Sequence, residues 1–412
     1  MSYPHKDIID QIRLERKRQG ISQTELANRI GCPQPSIVRI ETRKLSPTVG
    51  MLQRICDVLG MDITLVKKEK INKHLDIALD MHGCPNRCKH CWLGDLPNKQ
   101  LDDGYADFIV KLFKPYFKDI TFYSWFREPD FCSNYQERWL KDNELSSIKP
   151  QRFELASFYK IVRDPEYVKW LKSVGTKKVQ LTFFGLEETT DAFVGRKGAY
   201  QELLKATQIL KENDIEPRWQ IFIYETNINE VVDLISKAKE LNIKEVFVHE
   251  GSCDGNNQKL YNIRINKDHI PEEVKPYYLD YSHILSEAEC TKLLKKDDSY
   301  FVPSNDKEIV LNITSDLNVY FNFTHIAPAW KIANIEEDEI DDIVRKVVEE
   351  DIPALMLAKT ITIKQLVEQY GDAHSNKVFS IDDYKMYLLN KYLDEKYNNQ
   401  VVLNNIIKMM KK

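Results

Sequence analysis

From Lys73 onward the chain alternates between apolar runs of strand length and stretches with helical spacing, and this alternation limits the fold more than any other feature. Strands are expected at His74–Asp80, Asp119–Ser124, Arg152–Ser157, Lys178–Phe184, Arg218–Tyr224 and Lys244–His249. Helices are expected near Asp102–Phe117, Glu137–Asn143, Pro165–Ser173, Tyr200–Asn213 and Glu230–Leu241. Strand then helix, repeated, implies a parallel sheet, because parallel neighbours need a crossover between them. Six such units fit an α/β partial (β/α)6 barrel or a full one, with chemistry on the loops at the C-terminal ends of the strands.

The first strand runs into such a loop, MHGCPNRCKHCWLG, where Cys84, Cys88 and Cys91 form a C-x3-C-x2-C array. The chain has 8 cysteines in 412 residues, too few for a disulfide scaffold. Three thiolates this close call for a soft metal. A structural zinc takes four protein ligands, so His82, His90, Cys132 or Cys253 would have to supply the fourth. On a four-iron cluster, three cysteines leave one iron open to a non-protein ligand.

That array, at that place, resembles the radical S-adenosylmethionine (SAM) superfamily. The resemblance covers about Asp76 to Glu250. It implies that Cys84, Cys88 and Cys91 hold one [4Fe-4S] cluster, whose open iron takes the amino and carboxylate groups of SAM. One electron, from a donor such as flavodoxin or ferredoxin, then cleaves the SAM C–S bond, and the 5′-deoxyadenosyl radical takes a hydrogen atom from substrate. The cofactors carry that chemistry and the protein positions them. His90 stands where the family has an aromatic residue near the adenine. The string TFYSWFREPD resembles the family's GGEP segment, with Glu128 accepting from the SAM ammonium. The family's glycines are missing around Arg127-Glu128-Pro129. Ser157, ending the third strand, takes a polar SAM contact. The stretch VQLTFFGLEETTDAFVGRKGAY resembles SLDG…RG-x-GSF and places Thr182 and Arg196 near the SAM ribose and carboxylate, where an arginine's planar fork suits a carboxylate.

The first 70 residues read differently. They carry 13 Lys and Arg against 8 Asp and Glu, a balance of +5, whereas residues 71–412 stand at −9. A basic head on an acidic body indicates two modules with different partners. Asp7–Gly20 has amphipathic spacing with Gly20 as a C-cap. Ser22 and Glu25 set up a capping box for SQTELANRI, which Gly31 ends. A third helix follows Cys32-Pro33 over roughly Gln34–Thr42, with Ile37 and Ile40 inward, and two short helices are expected around Thr48–Leu59 and beyond. This helix-turn-helix pattern resembles the XRE/Cro-repressor type over about 60 residues. The resemblance implies a double-stranded DNA operator, with Gln23 on phosphate and Gln34, Ser36 and Arg39 facing base edges. Proteins of this kind commonly bind paired half-sites, an arrangement that a homodimer would suit. Thr42-Arg43 replaces a glycine often found after the third helix. A helical domain that only binds a partner is the alternative.

In the last third, Lys307–Thr314 and Leu317–Thr324 alternate like the strands of a hairpin, and HIAPAWKIANIEEDEIDDIVRKVVEE reads as a turn and an acidic helix. This resembles the SPASM/twitch extension of some radical SAM enzymes and favours a peptide or small-metabolite substrate. After Glu250 only Cys253 and Cys290 are available, so no auxiliary cluster is expected in this small α+β extension. Its helical tail begins near Pro353. Cys253, on the loop after the sixth strand, is a candidate hydrogen-atom donor, with an ordinary loop thiol as the alternative. The expected architecture is multidomain: an all-α head at 1–70, a barrel at 71–255 and the extension at 256–412. No apolar run approaches the ~18 residues of a membrane span, and MSYPHKDIID lacks the features of a signal peptide, so a cytoplasmic protein is expected. Two functions fit: an enzyme fused to an autoregulatory DNA-binding module, or a regulator that senses redox state, iron or SAM without turnover.

Overall fold

The computed structural model describes residues 8–63, 70–91, 93, 98–125, 127–152, 154–253, 255–303, 308–321 and 326–410. The chain divides into two compact units, Met1–Glu69 and Lys70–Lys412.

The head consists of α1 (Ile8–Arg18), α2 (Gln23–Ile30), α3 (Gln34–Glu41) and α4 (Val49–Leu59). Ser22 caps α2 by accepting from the Glu25 N–H, and Thr48 does the same for α4 from Met51. Gly31 and Gly60 close these helices at φ 71° and 66°, a conformation that glycine adopts without strain. Ile12, Leu26, Ala27, Ile37, Ile40 and Ile55 form the core, joined by Cys56. The further helix expected beyond Leu59 falls on residues 64–69, outside the described residues.

The body opens with β1 (Ile71–Leu79), α5 (Gly104–Phe113), β2 (Phe117–Tyr123), α6 (Tyr135–Leu145), α7 (Phe158–Arg163) and α8 (Pro165–Ser173). It continues with β3 (Lys178–Phe183), α9 (Glu187–Val194), α10 (Ala199–Glu212), β4 (Glu216–Phe222), α11 (Ile228–Glu240) and β5 (Glu245–His249). The last third holds β6 (Leu285–Ser286), α12 (Glu287–Leu294), β7 (Glu308–Ile313), β8 (Asn318–Phe321), β9 (Lys331–Asn334), α13 (Ile340–Glu349), α14 (Pro353–Ala358), α15 (Ile363–Tyr370), β10 (Val378–Phe379) and α16 (Ile381–Met410). Two larger sheets make up the core of the body. One is parallel, in the order β3-β4-β5; the other is mixed, in the order β2-β1-β7-β8-β9. Helices cover them with apolar stripes such as Ile109, Val110 and Phe113 of α5, and Val231, Leu234 and Ile235 of α11. Among the described residues no helix is long and apolar enough to cross a membrane.

Two features differ from expectation. The strand expected at Arg152–Ser157 does not form among its described residues, and a single ladder-like bond, Gln180 N–H to Glu154 O at 2.7 Å, marks its course. The cause lies on the outer edge of β2. The N–H groups of Ile120, Phe122 and Ser124, which a neighbouring strand would take, donate instead to Ser147 Oγ, Ser146 Oγ and Asp142 Oδ2, at 2.7–3.1 Å. With every second N–H satisfied by a side chain, that edge has little left to offer a strand. The second feature is β7. The expected hairpin of β7 and β8 is present, and β7 also pairs in parallel with β1, from His74↔Glu308 to Leu79↔Ile313. The strand that leads to the cysteines is thus flanked by β2 on one side and by a strand of the last third on the other.

Candidate active site

Beyond β1 the chain enters the cysteine loop through Gly83, at φ 71°. A Cβ there would lie 2.5 Å from Asn98 Oδ1. That approach is used: Asn98 Oδ1 accepts from the Cys84 N–H at 2.7 Å, and its Nδ2 donates to the Cys84 carbonyl at 2.9 Å. Farther along, the N–H groups of Arg87 and Lys89 donate to the carbonyls of Val194 and Phe193, each at 2.8 Å. Gly195 permits this contact, since a Cβ there would stand 2.9 Å from the Arg87 carbonyl. The loop is therefore tied to Asn98 on one side and to the end of α9 on the other. Cys84, Cys88 and Cys91 form no disulfide and are half-buried. Burial, reinforced by the Glu128 carboxylate, pushes the Cys84 thiol up to about 12. Burial and the neighbouring thiols also raise Cys88. Such thiols ionise when a metal takes the place of the proton. Among the described residues no three His, Cys, Asp or Glu side chains converge on one point as ligands of a single ion.

The loop after β2 carries Glu128. Its Oε1 is buried without a hydrogen-bond partner. Burial pushes its carboxyl up to about 7, against the Ser157 hydroxyl and the Arg196 charge, which favour ionisation. Ser157 is fully buried and serves as the N-cap of α7, its Oγ accepting from the Lys160 N–H at 3.2 Å. Arg127 reaches back to Asp80 at 2.6 Å, both side chains almost wholly buried, so an ion pair holds this loop where the family has glycines. Burial, against the pull of Arg127, raises Asp80 to about 6.

His90 packs against Phe184 and Phe222, ring centroids 4.6 and 5.1 Å away, and its Nδ1 is buried without a partner. Burial holds its pKa down to about 4, so the ring is neutral at ordinary pH. Thr182 donates to Gln220 Oε1 at 3.0 Å, in a row of polar side chains that crosses β3, β4 and β5 through Gln180, Gln220 and His249. Arg196 donates from Nε to Asn86 Oδ1 at 2.9 Å and pairs with Glu202 at 2.7 Å, so its guanidinium already holds one carboxylate. Cys253 is 1% exposed. Its sulfur accepts from Arg264 Nη1 at 2.6 Å, and the same guanidinium pairs with Glu250 at 3.1 Å and Asp383 at 2.5 Å. Burial pushes the Cys253 thiol up to about 11. This thiol is buried beside the Arg264 guanidinium.

Several residues here carried no sequence signal. Asn98 lies fourteen positions after Cys84 in an irregular loop, and Asn86 and Asp80 have no pattern around them. His82 is also buried, with neither ring nitrogen partnered. Its burial, beside Arg138 and Lys160, lowers its pKa to about 3.

In the head, Arg39 on α3 is exposed, while Gln34 and Ser36 are half-buried. Gln23 is half-buried and bonded within the head. Its Nε2 donates to Glu41 Oε2 at 2.7 Å, and Glu41 also accepts from Arg16 Nε and Nη2, at 2.6 and 2.8 Å. The amide is taken up by a buried ion pair that joins α1, α2 and α3.

Comparison with known proteins agrees with this division. A helix-turn-helix family model matches residues 12–66, and the model of the radical SAM superfamily matches residues 79–238. An uncharacterized HTH-type transcriptional regulator of Sinorhizobium fredii is 35% identical over 69 residues, 17% of this chain and 35% of that protein. Another, from Methanothermobacter thermautotrophicus, is 37% identical over 51 residues, 12% of this chain and 74% of that protein. The chain thus spans about a third of the length of the first of these relatives. Among solved structures, native anSMEcpe with bound AdoMet and Cp18Cys peptide is similar at a TM-score of 0.44 and 13% identity, covering 81% of this chain and 99% of that one. Streptococcus suis SuiB bound to precursor peptide SuiA gives a TM-score of 0.38 and 11% identity, covering 69% and 70%. The chain carries a radical SAM superfamily domain at residues 79–238 and an XRE-type helix-turn-helix domain at residues 12–66.

Proposed function

We propose that this protein cleaves SAM reductively at one [4Fe-4S] cluster and abstracts hydrogen from a peptide or small-metabolite substrate, and that its head binds double-stranded DNA and regulates the protein's own operon. The observation that carries the reading is the pairing of a three-cysteine loop after β1 with a buried, unpartnered carboxylate oxygen on Glu128 after β2. When bound, the cluster and SAM supply the electron and the 5′-deoxyadenosyl group that the reaction needs. Cys84, Cys88 and Cys91 would hold the cluster, with Asn98 fixing the backbone of Cys84. Glu128 would accept from the SAM ammonium, a charge-assisted bond that also ends the isolation of its Oε1. Ser157 orients that carboxylate from the N-cap of α7. His90, held neutral against Phe184 and Phe222, offers a flat wall for the adenine. Thr182 and Arg196 would contact the ribose and carboxylate of SAM. In the head, Gln34, Ser36 and Arg39 would face base edges. We assign the protein to the cytoplasm.

The test is anaerobic reconstitution with iron and sulfide, followed by SAM and dithionite, with 5′-deoxyadenosine read by mass spectrometry. Cys84→Ala/Cys88→Ala/Cys91→Ala in parallel should bind no cluster and form none. A fully loaded wild-type protein that binds SAM yet makes no 5′-deoxyadenosine would refute the enzymatic reading and leave a sensor of redox state, iron or SAM. DNA binding with and without SAM would then be the measurement of function.

A further inference from the structure

A parallel sheet is ordinarily covered on both faces. One face of β3-β4-β5 is apolar and packed: Val179, Leu181, Trp219, Ile221 and Val248 are buried with Leu203 of α10 and Leu234 of α11. The alternate residues, Gln180, Thr182, Arg218, Gln220, Phe247 and His249, are half-buried. The register sets Thr182 beside Gln220 and Phe222 beside His249, so these side chains form one row. Two ring contacts join that row to the cysteine loop. His249 lies 4.3 Å from Phe222, and Phe222 lies 5.1 Å from His90, between centroids.

The donors and acceptors of the row do not balance. Arg218 can only donate, and its Nη2 bonds to Gln180 Oε1 at 2.6 Å. Gln180 Nε2 then donates to Gln220 Oε1, and Gln220 Nε2 meets His249 Nε2. That bond needs an acceptor at Nε2, which puts the proton of a neutral ring on Nδ1. Yet the Gly251 N–H points at Nδ1 from 3.1 Å. A donor thus stands at each end of a chain whose members pass on only what they accept. Turning over either amide moves the conflict to another link and removes none. Arg218 Nε is a further donor, buried without a hydrogen-bond partner. The row lacks an acceptor, not a charge. Lys178 and Arg218 are matched by Glu154 and Glu245, and burial holds His249 down to about 4, so its ring is neutral.

We propose that this row is a substrate subsite for a neutral carbonyl oxygen, as in an amide, held by Gln220 Nε2 and the Nε2–H of His249. The inference rests on the function proposed above and names the group by which the substrate is held. With the ring proton on Nε2, as the Gly251 N–H requires, the Gln220 amide and the imidazole are two donors that converge, and one oxygen takes both. A carboxylate would bring a charge to a face whose cations are already paired. An ammonium would add another donor. An amide carbonyl supplies the acceptor alone. Phe222 and Phe247 flank His249, with centroids 4.3 and 5.9 Å away, and give the carbons of the acyl group apolar sides. Holding the carbonyl fixes the substrate's orientation for hydrogen abstraction.

The experiment uses the full-length protein with nitrogen-15 in its histidine rings, reconstituted with iron and sulfide and saturated with SAM in the absence of reductant. The probes are N-methylacetamide, acetate and methylammonium, and the readout is the nuclear magnetic resonance of the ring nitrogens. The chain has 9 histidines, and His249→Phe identifies the signals of His249. N-methylacetamide should shift them saturably towards the Nε2–H form, with an affinity about 10-fold or more above that of acetate. Methylammonium should leave them in place. Gln220→Glu supplies the missing acceptor from the chain itself. Its His249 should stand in the Nε2–H form without any probe and bind N-methylacetamide about 10-fold or more weakly than wild type. The wild-type series decides by itself if that variant does not fold. No shift with any probe, acetate binding as tight as the amide, or equal affinity in a folded Gln220→Glu would overturn the proposal. So would an amide response seen only without SAM, because the row would then belong to SAM. A wild type that takes the amide yet makes no 5′-deoxyadenosine with dithionite would instead overturn the function above and leave the carbonyl site standing.

Discussion

Glu41 offers the sharpest test of how the head is held together. Its side chain is 3% exposed and that of Arg16 is 9% exposed. Replacing Glu41 with Ala leaves the Arg16 guanidinium with only the Ile21 carbonyl, at 2.7 Å, and leaves the Gln23 amide unpaired. Breaking a buried pair by removing one partner costs about 3–5 kcal/mol. The lost bond from Gln23 adds about 1 kcal/mol. A unit spanning Met1–Glu69 has a total stability of roughly 3–10 kcal/mol at ~0.05–0.15 kcal/mol per residue. Glu41→Ala should therefore remove half of it or more and lower the melting temperature of the head by more than ~15 °C. Calorimetry on the full-length protein would show that transition moving while the body's stays in place. Arg16→Met/Glu41→Leu, of similar volume, should recover most of the loss, because no uncompensated charge remains. The pH dependence has a fixed sign. Against its burial, Arg16 and Gln23 hold the Glu41 carboxyl below its ordinary 4.5. The stabilisation is thus present above pH 4.5 and lost as pH falls through the lower folded value. A shift under ~4 °C for Glu41→Ala, or a double variant no more stable than the single one, would refute the reasoning.

Other expectations follow from the body. Gly195→Ala forces a Cβ to within 2.9 Å of the Arg87 carbonyl at φ 71°, so iron content after reconstitution should fall while far-ultraviolet circular dichroism is unchanged. Arg264→Leu removes a fully buried guanidinium from Glu250 and Asp383 and should destabilise the body by about 3–5 kcal/mol in denaturant titrations. Arg264→Lys should fare little better, since an ammonium cannot span Cys253, Glu250, Asp383 and the Val378 carbonyl. Burial pushes Asp142 up to about 7 against its bonds from Ser124, so the stability it contributes is complete below pH 3.8 and is lost as pH rises through 7. Asp142→Asn should flatten that decline in a series of melting temperatures from pH 5 to 8. Arg39→Ala should weaken operator binding by roughly 10- to 100-fold in a gel-shift titration.

What the sequence reveals and conceals here follows from how local each determinant is. β1, β3, β4 and β5 stand out because each is a short apolar run bounded by turns, and the cysteine array stands out because its ligands lie within eight residues. The strand expected at Arg152–Ser157 has a suitable composition. It is displaced by Asp142, Ser146 and Ser147, whose side chains cap β2 across a distance that periodicity does not register. Gln23 occupies a position that reads as a phosphate contact, yet Glu41, 18 residues on, captures its amide. Arg264, 11 residues on, bonds to the Cys253 sulfur without any pattern in the sequence that links the two. Asn98 was invisible because an asparagine in a loop has many uses, and only the fold selects one. The pairing of β7 with β1 is likewise a non-local choice.

That pairing sets an order of events on the ribosome. His74 finds its partner at Glu308, more than two hundred residues later, so the strand leading to the cysteines keeps an open edge through most of synthesis. The head, by contrast, has all the buried core of its described residues by Leu59. A chain emerging N-terminus first can therefore fold its helix-turn-helix while the cysteine loop still lacks one of its supporting walls. The second neighbour of that strand is complete only in chains that have been made through Ile313. A nascent or truncated chain would have a finished head without a finished redox centre.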